Sequence, residues 1–79
     1  MPNARERLQM LIEQNPMRVQ RVNDHVTSSG PPYDTTWTHR IVIKFDNEET
    51  DFTGQGPSKG LAKEDASAKA VDALEWWLA

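Results

Sequence analysis

A glycine-rich turn followed by two lysines is the segment of this sequence that is best suited to chemistry. Gly54-Gln55-Gly56-Pro57 is predicted to form a turn that ends the preceding element of secondary structure, and Ser58 is a good N-cap for a helix that starts after it. Unpaired backbone N–H groups and the positive end of the helix dipole converge at such a start, which makes it a natural phosphate site. Lys59 and Lys63 are four residues apart, so a helix places both ammonium groups on one face, where they suit phosphates on either side of a groove. The segment does not have the spacing of a nucleotide-binding loop.

An amphipathic helix is predicted ahead of this segment, near the beginning of the chain. Its apolar residues recur at helical spacing, at Ala4, Leu8, Leu11 and Ile12. Asn3 is the predicted N-cap, with Glu6 three residues later as in a capping box. Asn15-Pro16 ends the helix, because proline disfavours helical geometry at the residue before it.

Three strands are predicted between the two helices. Val19 to Thr27 has a weak pattern that suits an exposed or edge strand, whereas Trp37 to Phe45 alternates clearly. A short third strand is predicted from Thr50 to Thr53. The connections are a Gly- and Pro-containing loop over residues 28–34 and a tight polar connection over residues 46–49.

The final helix is predicted to pack closely on this sheet, because four alanines lie on its apolar face. That face contains Leu61, Ala62, Ala66, Ala70, Ala73, Leu74 and Trp77. The fold class is therefore α+β, in the order α-β-β-β-α, with two helices on one face of a three-stranded antiparallel sheet. Residues 1–79 are expected to form one domain with a core of about 4–78. Trp76 is adjacent to Trp77, so one helix face cannot bury both; Trp76 is then a surface aromatic or part of a protein contact.

Composition excludes several functions and favours an intracellular protein. The chain has no cysteine, so disulfides, thiolate metal sites and cysteine nucleophiles are excluded. Its apolar runs are far too short for a membrane span, and its beginning is not that of a signal peptide, so a soluble cytoplasmic or nuclear protein is expected. His25 and His39 have no arrangement that suggests a metal, and His39 is expected to be a hydrogen-bonded core or rim residue. No acidic pair or Ser-His-Asp set suggests catalysis, so neither an enzyme nor a cofactor is expected.

The segment from Gly54 to Ala66 resembles the C-terminal signature of double-stranded-RNA-binding domains. The residues that match in register are Gly54, Gly56, Ser58, Lys59, Ala62, Lys63 and Ala66. The loop Gly30-Pro31-Pro32-Tyr33 is similar to the Gly-Pro-x-His loop of the family. Trp37 stands where the family has an aromatic residue, four residues after that histidine. Leu8-Gln9-Met10-Leu11 resembles the motif of the first helix. The match extends from about Ala4 to Leu74 and is most specific in its C-terminal third.

The resemblance implies binding of double-stranded RNA through A-form shape, phosphates and 2′-hydroxyls over about 16 base pairs, largely without sequence preference. Lys59 and Lys63 would contact phosphates across the major groove, at the helix start that Ser58 caps. The first-helix face around Arg5, Gln9 and Met10 would meet one minor groove, and the loop with Pro31, Pro32 and Tyr33 would enter the next. Tyr33 is either such a groove contact or a loop anchor packed against Pro32. The domain would act alone or as the RNA-targeting module of a larger RNA-processing factor.

An alternative keeps the fold but makes it a protein-interaction or dimerisation module with weak or no RNA binding. Gly60, Tyr33 and Met10 differ from the usual lysine, histidine and glutamate of the family, and the net charge is −3. The exposed position expected for Trp76 favours the same alternative.

The distribution of charge bears on both functions. The acidic connection at residues 46–49 is expected at the end of the sheet opposite Lys59, about 26 Å away, which exceeds two Debye lengths at physiological salt. Arg5 and Arg7 are expected to point toward the lysine end. Glu64 and Asp65 are expected to interact with the helix dipole and to lower RNA affinity locally, leaving roughly three to five phosphate contacts.

Overall fold

The computed structural model describes residues 3–79, which form two helices and three strands. In chain order these elements are α1 (Ala4–Gln14), β1 (Val19–Ser29), β2 (Thr36–Phe45), β3 (Glu48–Gly56) and α2 (Lys59–Leu78). The strands form one antiparallel sheet in the order β1-β2-β3, and both helices pack against it. The predicted fold class is confirmed.

Helix α1 begins and ends where its capping residues predict. The Asn3 side chain accepts a hydrogen bond from the Glu6 N–H at 2.9 Å, which satisfies a donor that has no partner within the helix. At the other end the Asn15 side-chain amide donates to the Leu11 carbonyl at 2.8 Å. Leu8 is fully buried on the face toward the sheet. The predicted helix and its apolar face are confirmed.

The hairpin between β2 and β3 is tighter than predicted. Asp46 and Asn47 both have positive φ, 48° and 72°, as a two-residue hairpin turn requires. Phe45 then pairs directly with Glu48, so Glu48 and Glu49 belong to β3. The predicted connection over residues 46–49 is therefore two residues too long.

Strand β3 continues through the glycines that were expected to break it. Gly54 pairs with His39, and β3 ends only at Gly56. A Cβ on Gly54 would lie 2.1 Å from the Ala66 backbone nitrogen and 2.5 Å from the Ala62 carbonyl oxygen. The prediction that β3 ends at Thr53 was wrong, because this glycine permits close helix packing rather than a turn.

Strand β1 is an edge strand, as its weak pattern predicted, and it runs two residues further than expected, to Ser29. The pairing register with β2 shifts between Arg21 and Asn23. This irregularity leaves Val22 half-exposed at the bulge.

A buried histidine joins β1 to β2 on the side of the sheet that faces the helices. His39 Nε2 lies 3.0 Å from Asp24 Oδ2, and Arg21 Nη1 donates to both Asp24 carboxylate oxygens at 3.1 and 3.0 Å. Burial alone would raise the pKa of Asp24, but the hydrogen bond with His39 and the charge and hydrogen bonds of Arg21 outweigh it and lower that pKa. The expected hydrogen-bonded role of His39 is confirmed.

Helix α2 supplies most of the helical side of the core. Its buried residues are Ala62, Ala66, Ser67, Ala70, Val71 and Leu74. Leu61 was predicted on this face but is 55% exposed, since the adjacent Ala62 points to the sheet and Leu61 is rotated away from it. Trp77 packs against Phe45 and Phe52, whereas Trp76 is 81% exposed. Within residues 3–79, no helix is both long and apolar enough to cross a membrane.

Candidate nucleic-acid interface

The N-terminus of α2 forms the centre of the candidate interface. Ser58 has extended backbone geometry and its Oγ accepts from the Leu61 N–H at 3.2 Å, so it is the predicted N-cap. The first helical bond runs from the Ala62 N–H to the Ser58 carbonyl. Lys59 is exposed and Lys63 half-buried one turn later. This helix start therefore presents N–H groups, the positive end of a 20-residue helix and two lysines together.

Lys59 is held over an aromatic ring from the sheet. Its ammonium nitrogen lies 4.9 Å from the centroid of the Trp37 ring. Trp37 pairs directly with Gly56 at the end of β3, so the ring lies beside the turn that leads into α2. A cation over an indole ring is attracted by the negative charge of the ring face, which restricts the long lysine side chain to this end of the molecule.

The loop between β1 and β2 lies at the same end of the sheet. Ser29 pairs with Thr36, and the next residue along β2 is Trp37, beside Lys59. Pro31, Pro32 and Tyr33 project from this hairpin and are all exposed. The predicted clustering of the loop with the α2 start is therefore confirmed.

The loop is held by its backbone and not by its tyrosine. The Pro31 carbonyl accepts from the Asp34 N–H at 2.9 Å and from the Thr35 hydroxyl at 3.0 Å. Gly30 has φ of 91°, and a Cβ there would lie 2.6 Å from the Asp34 carbonyl oxygen. Because Tyr33 is 91% exposed, the alternative in which it packs against Pro32 as an anchor was wrong.

Glu64 joins the start of α1 to α2. Its Oε2 accepts from the Ala4 N–H at 2.6 Å, and its Oε1 lies 3.2 Å from Arg5 Nε. Arg5 is thereby brought beside the helix turn that contains Lys63, but its guanidinium already has a carboxylate partner. Arg7 is also paired, with Glu75 further along α2, so it does not extend the lysine end as expected.

Asp65 has a comparable structural role on the other side of α2. Its Oδ2 accepts from the Gln55 N–H at 3.1 Å and lies 3.5 Å from the Lys69 ammonium. Neither Glu64 nor Asp65 lies in the first turn of α2. The expected interaction with the helix dipole is replaced by specific hydrogen bonds that attach α2 to α1 and to β3.

The remaining predicted contact residues lie along α1. Gln9 is exposed one turn after Arg5, and its amide donates to Glu13 at 3.1 Å. Met10 is 46% exposed. The helix places Arg5 and Gln9 on one face, as predicted.

The acidic turn lies at the opposite end of the sheet, as predicted. Trp37 and Phe45 are the first and last residues of β2 that pair with β3, eight residues apart, which corresponds to about 26 Å. At the far end Asp46 forms a two-point ion pair with Arg18, at 3.1 and 2.9 Å. The hydrogen bond from Arg18 is the main reason that the pKa of Asp46 falls below its usual value.

Two features of the candidate interface were not predicted from the sequence. The contact of Lys59 with Trp37 joins residues 22 positions apart, and its only sequence signal is that Trp37 lies at the loop end of β2. The acceptor role of Glu64 joins residues 60 positions apart and has no local signal.

A scan of the chain against protein-family models finds no match, and a search of curated proteins finds none either. The resemblance to double-stranded-RNA-binding domains therefore stays a prediction from the residues.

Proposed function

We propose that this chain is a non-catalytic module that binds double-stranded RNA by its A-form shape, with little sequence preference. It would use no cofactor and act inside the cell, in the cytoplasm or nucleus, alone or as the targeting part of a larger RNA-processing factor. The main support for this proposal is that the α2 start with Lys59 and the exposed β1–β2 loop lie at the same end of the sheet.

The geometry of this end supports contacts on both sides of a groove. The lysines extend from α2, and the loop with Tyr33 extends from the sheet, so phosphates and ribose hydroxyls could be met by different elements at once. A-form duplexes present 2′-hydroxyls and phosphates at fixed spacing, which rigid elements read by shape. The order α-β-β-β-α and the signature from Gly54 to Ala66 agree with this mode of binding.

The negative net charge does not oppose the proposal strongly. The acidic turn lies about 26 Å from Lys59, beyond the screening distance at physiological salt. The two carboxylates nearest the lysines, Glu64 and Asp65, accept hydrogen bonds from backbone N–H groups and lie beside Arg5 and Lys69, respectively. We therefore expect moderate affinity with a shallow salt dependence.

Lysine variants test the assignment of the phosphate contacts. Lys59→Ala combined with Lys63→Ala should weaken binding to all RNA duplex sequences alike and reduce the slope of log affinity against log salt by about two. Lys44→Ala is the matched control, since Lys44 pairs with Glu49 at the other end of the sheet. Unchanged duplex binding by the double variant would show that the phosphate assignment is wrong.

A second candidate is a protein-interaction or dimerisation module, which is favoured by the 81% exposure of Trp76. An indole this exposed on a helix is typical of protein contacts, where tryptophan is enriched. Sedimentation of the free chain tests its simplest form. A concentration-dependent dimer that Trp76→Ala abolishes would support a dimerisation module. A chain that stays monomeric at all concentrations would exclude self-association as its function.

A further inference from the structure

A depression at the acidic end of the molecule combines aromatic rings with carboxylates. It is lined by Arg18, Phe45, Asp46, Glu48, Thr50 and Trp77. The Phe45 and Trp77 rings lie 5.2 Å apart between centroids, and 36% of Trp77 remains exposed. Since the α2 start with Lys59 lies near the opposite end of the sheet, this depression is separate from the candidate RNA interface.

The strand register explains why these side chains meet. Glu48 pairs directly with Phe45, and directly paired residues of an antiparallel sheet project from the same face. Thr50 is two residues further along β3 and shares that face. Trp77 approaches from α2 and covers the same side. The Glu48 carboxylate therefore projects from the same face as the aromatic rings, and no ion pair engages it within residues 3–79.

An arginine of the protein itself, Arg18, already contacts the aromatic and acidic side chains of this depression. The Arg18 guanidinium lies 5.0 Å from the centroid of the Phe45 ring and donates through Nε and Nη2 to the two oxygens of Asp46. A planar guanidinium combines stacking on an aromatic face with a two-point hydrogen bond to a carboxylate. Trp77 and Glu48 offer a second aromatic face and a second carboxylate on the same side of the sheet.

We propose that this depression binds an arginine side chain from a basic segment of a protein partner. The arginine would stack on Trp77 and pair with Glu48, adjacent to the existing stack of Arg18 on Phe45. Three carboxylates at this end, Asp46, Glu48 and Glu49, outnumber the two cations Arg18 and Lys44. The net negative charge that remains is complementary to a positively charged segment and repels a nucleic acid. The partner site and the candidate RNA interface would then lie at opposite ends of one sheet.

The site can be probed with a blocked hexapeptide of alternating glycine and arginine. In the ¹⁵N-labelled chain the indole N–H signal of Trp77, assigned through Trp77→Phe, should shift in a saturable manner as this peptide is added. A peptide with glutamine in place of arginine should leave the signal unchanged. Absence of a shift at millimolar arginine peptide, or an equal shift with the glutamine peptide, would overturn the proposal.

Two neighbouring glutamates provide a matched pair of variants. Glu48→Gln should weaken arginine-peptide binding about threefold, as expected for the loss of an exposed ion pair. Glu49→Gln removes the same charge from the next residue, but Glu49 pairs with Lys44 on the opposite face of the sheet, so it should have less than half that effect. Equal weakening by both variants would indicate a general effect of charge and would contradict a site at Glu48.

Discussion

The ammonium group of Lys59, the first residue of α2, lies 4.9 Å from the centre of the Trp37 ring in β2. This contact attaches the proposed phosphate-binding helix start to the central strand of the sheet. It also sets the position of Lys59 relative to the β1–β2 loop, because Trp37 is the second residue of β2 after that loop. The position of the Lys59 ammonium relative to the loop thus depends in part on one aromatic side chain.

Replacing this ring should weaken RNA binding without removing a charge. Trp37→Leu keeps the charge of Lys59 but abolishes its cation–π contact, which is worth about 0.5–1 kcal/mol at an exposed site. We expect a two- to fivefold loss of affinity for an RNA duplex, measured by titration at physiological salt. Trp76→Leu is the control, since Trp76 is exposed on α2 and should leave affinity unchanged. Equal effects of both variants would contradict a specific role for Trp37.

A charge series at Gly60 should tune RNA affinity in both directions. Apart from its chain neighbours and the backbone of its own helix, a Cβ at Gly60 would meet no atom of residues 3–79 within 4 Å, so larger side chains fit without repacking. Gly60→Lys should raise affinity and steepen the slope of log affinity against log salt by about one, because it adds a phosphate contact. Gly60→Glu should lower affinity, and Gly60→Ala should leave it unchanged. An affinity that is the same for all three variants would place the α2 start outside the interface.

The close approach of α2 to β3 predicts opposite effects of alanine at two glycines. Gly54→Ala forces a methyl group onto the backbone of Ala66 and should lower the free energy of unfolding by about 2–3 kcal/mol. Gly60→Ala, near the beginning of the same helix, should instead raise it by about 0.5–1 kcal/mol. Urea denaturation of the two variants measures both changes. A neutral Gly54→Ala would mean that α2 lies further from the sheet than the structure shows.

The half-buried carboxylate of Asp24 predicts a stability that depends on acid pH. Its pKa is lowered in the folded chain, so its ionised form contributes stability above the unfolded value of about 3.8 and loses that contribution as the pH falls through the folded value. Asp24→Asn should therefore cost about 1–2 kcal/mol at pH 6, and the difference from the wild-type chain should shrink toward pH 2.

Urea midpoints at several pH values between 2 and 7 measure this difference. Asp51→Asn is the control, because Asp51 pairs with Arg40 at the surface and should change stability little at any pH. A difference between Asp24→Asn and the wild-type chain that is independent of pH would show that the Asp24 carboxylate contributes no charge-dependent stability.

Local patterns in the sequence predicted the fold because each reports a nearby interaction. The spacing of Leu8, Leu11 and Ile12 reflects burial on one helix face, and Asn3 and Ser58 cap the helices that follow them. The pattern was misleading at Gly54, since glycine suits both a turn and the close approach of a helix. Only the path of α2 over β3 distinguishes these roles, and that path is a tertiary property.

The candidate site was predictable in its position but not in its connections. The spacing of Lys59 and Lys63 indicated the helix start, and Gly30 indicated the β1–β2 loop. The antiparallel order of the three strands then placed both at the same end of the sheet. The pairing of Glu64 with Ala4 and Arg5 depends on how the two helices are packed, so no short-range pattern reveals it. The same holds for the depression at Trp77, which forms only when α2 crosses the Phe45 ring.

Titration of the chain with three nucleic acids tests the central claim most directly. An RNA duplex of about 20 base pairs exceeds the roughly 16 base pairs that double-stranded-RNA-binding domains span. A DNA duplex and a single-stranded RNA of the same sequence serve as comparisons. At physiological salt we predict saturable binding to the RNA duplex and at least tenfold weaker binding to the other two. No binding to the RNA duplex up to high micromolar concentrations, or equal binding to all three, would contradict the proposed function.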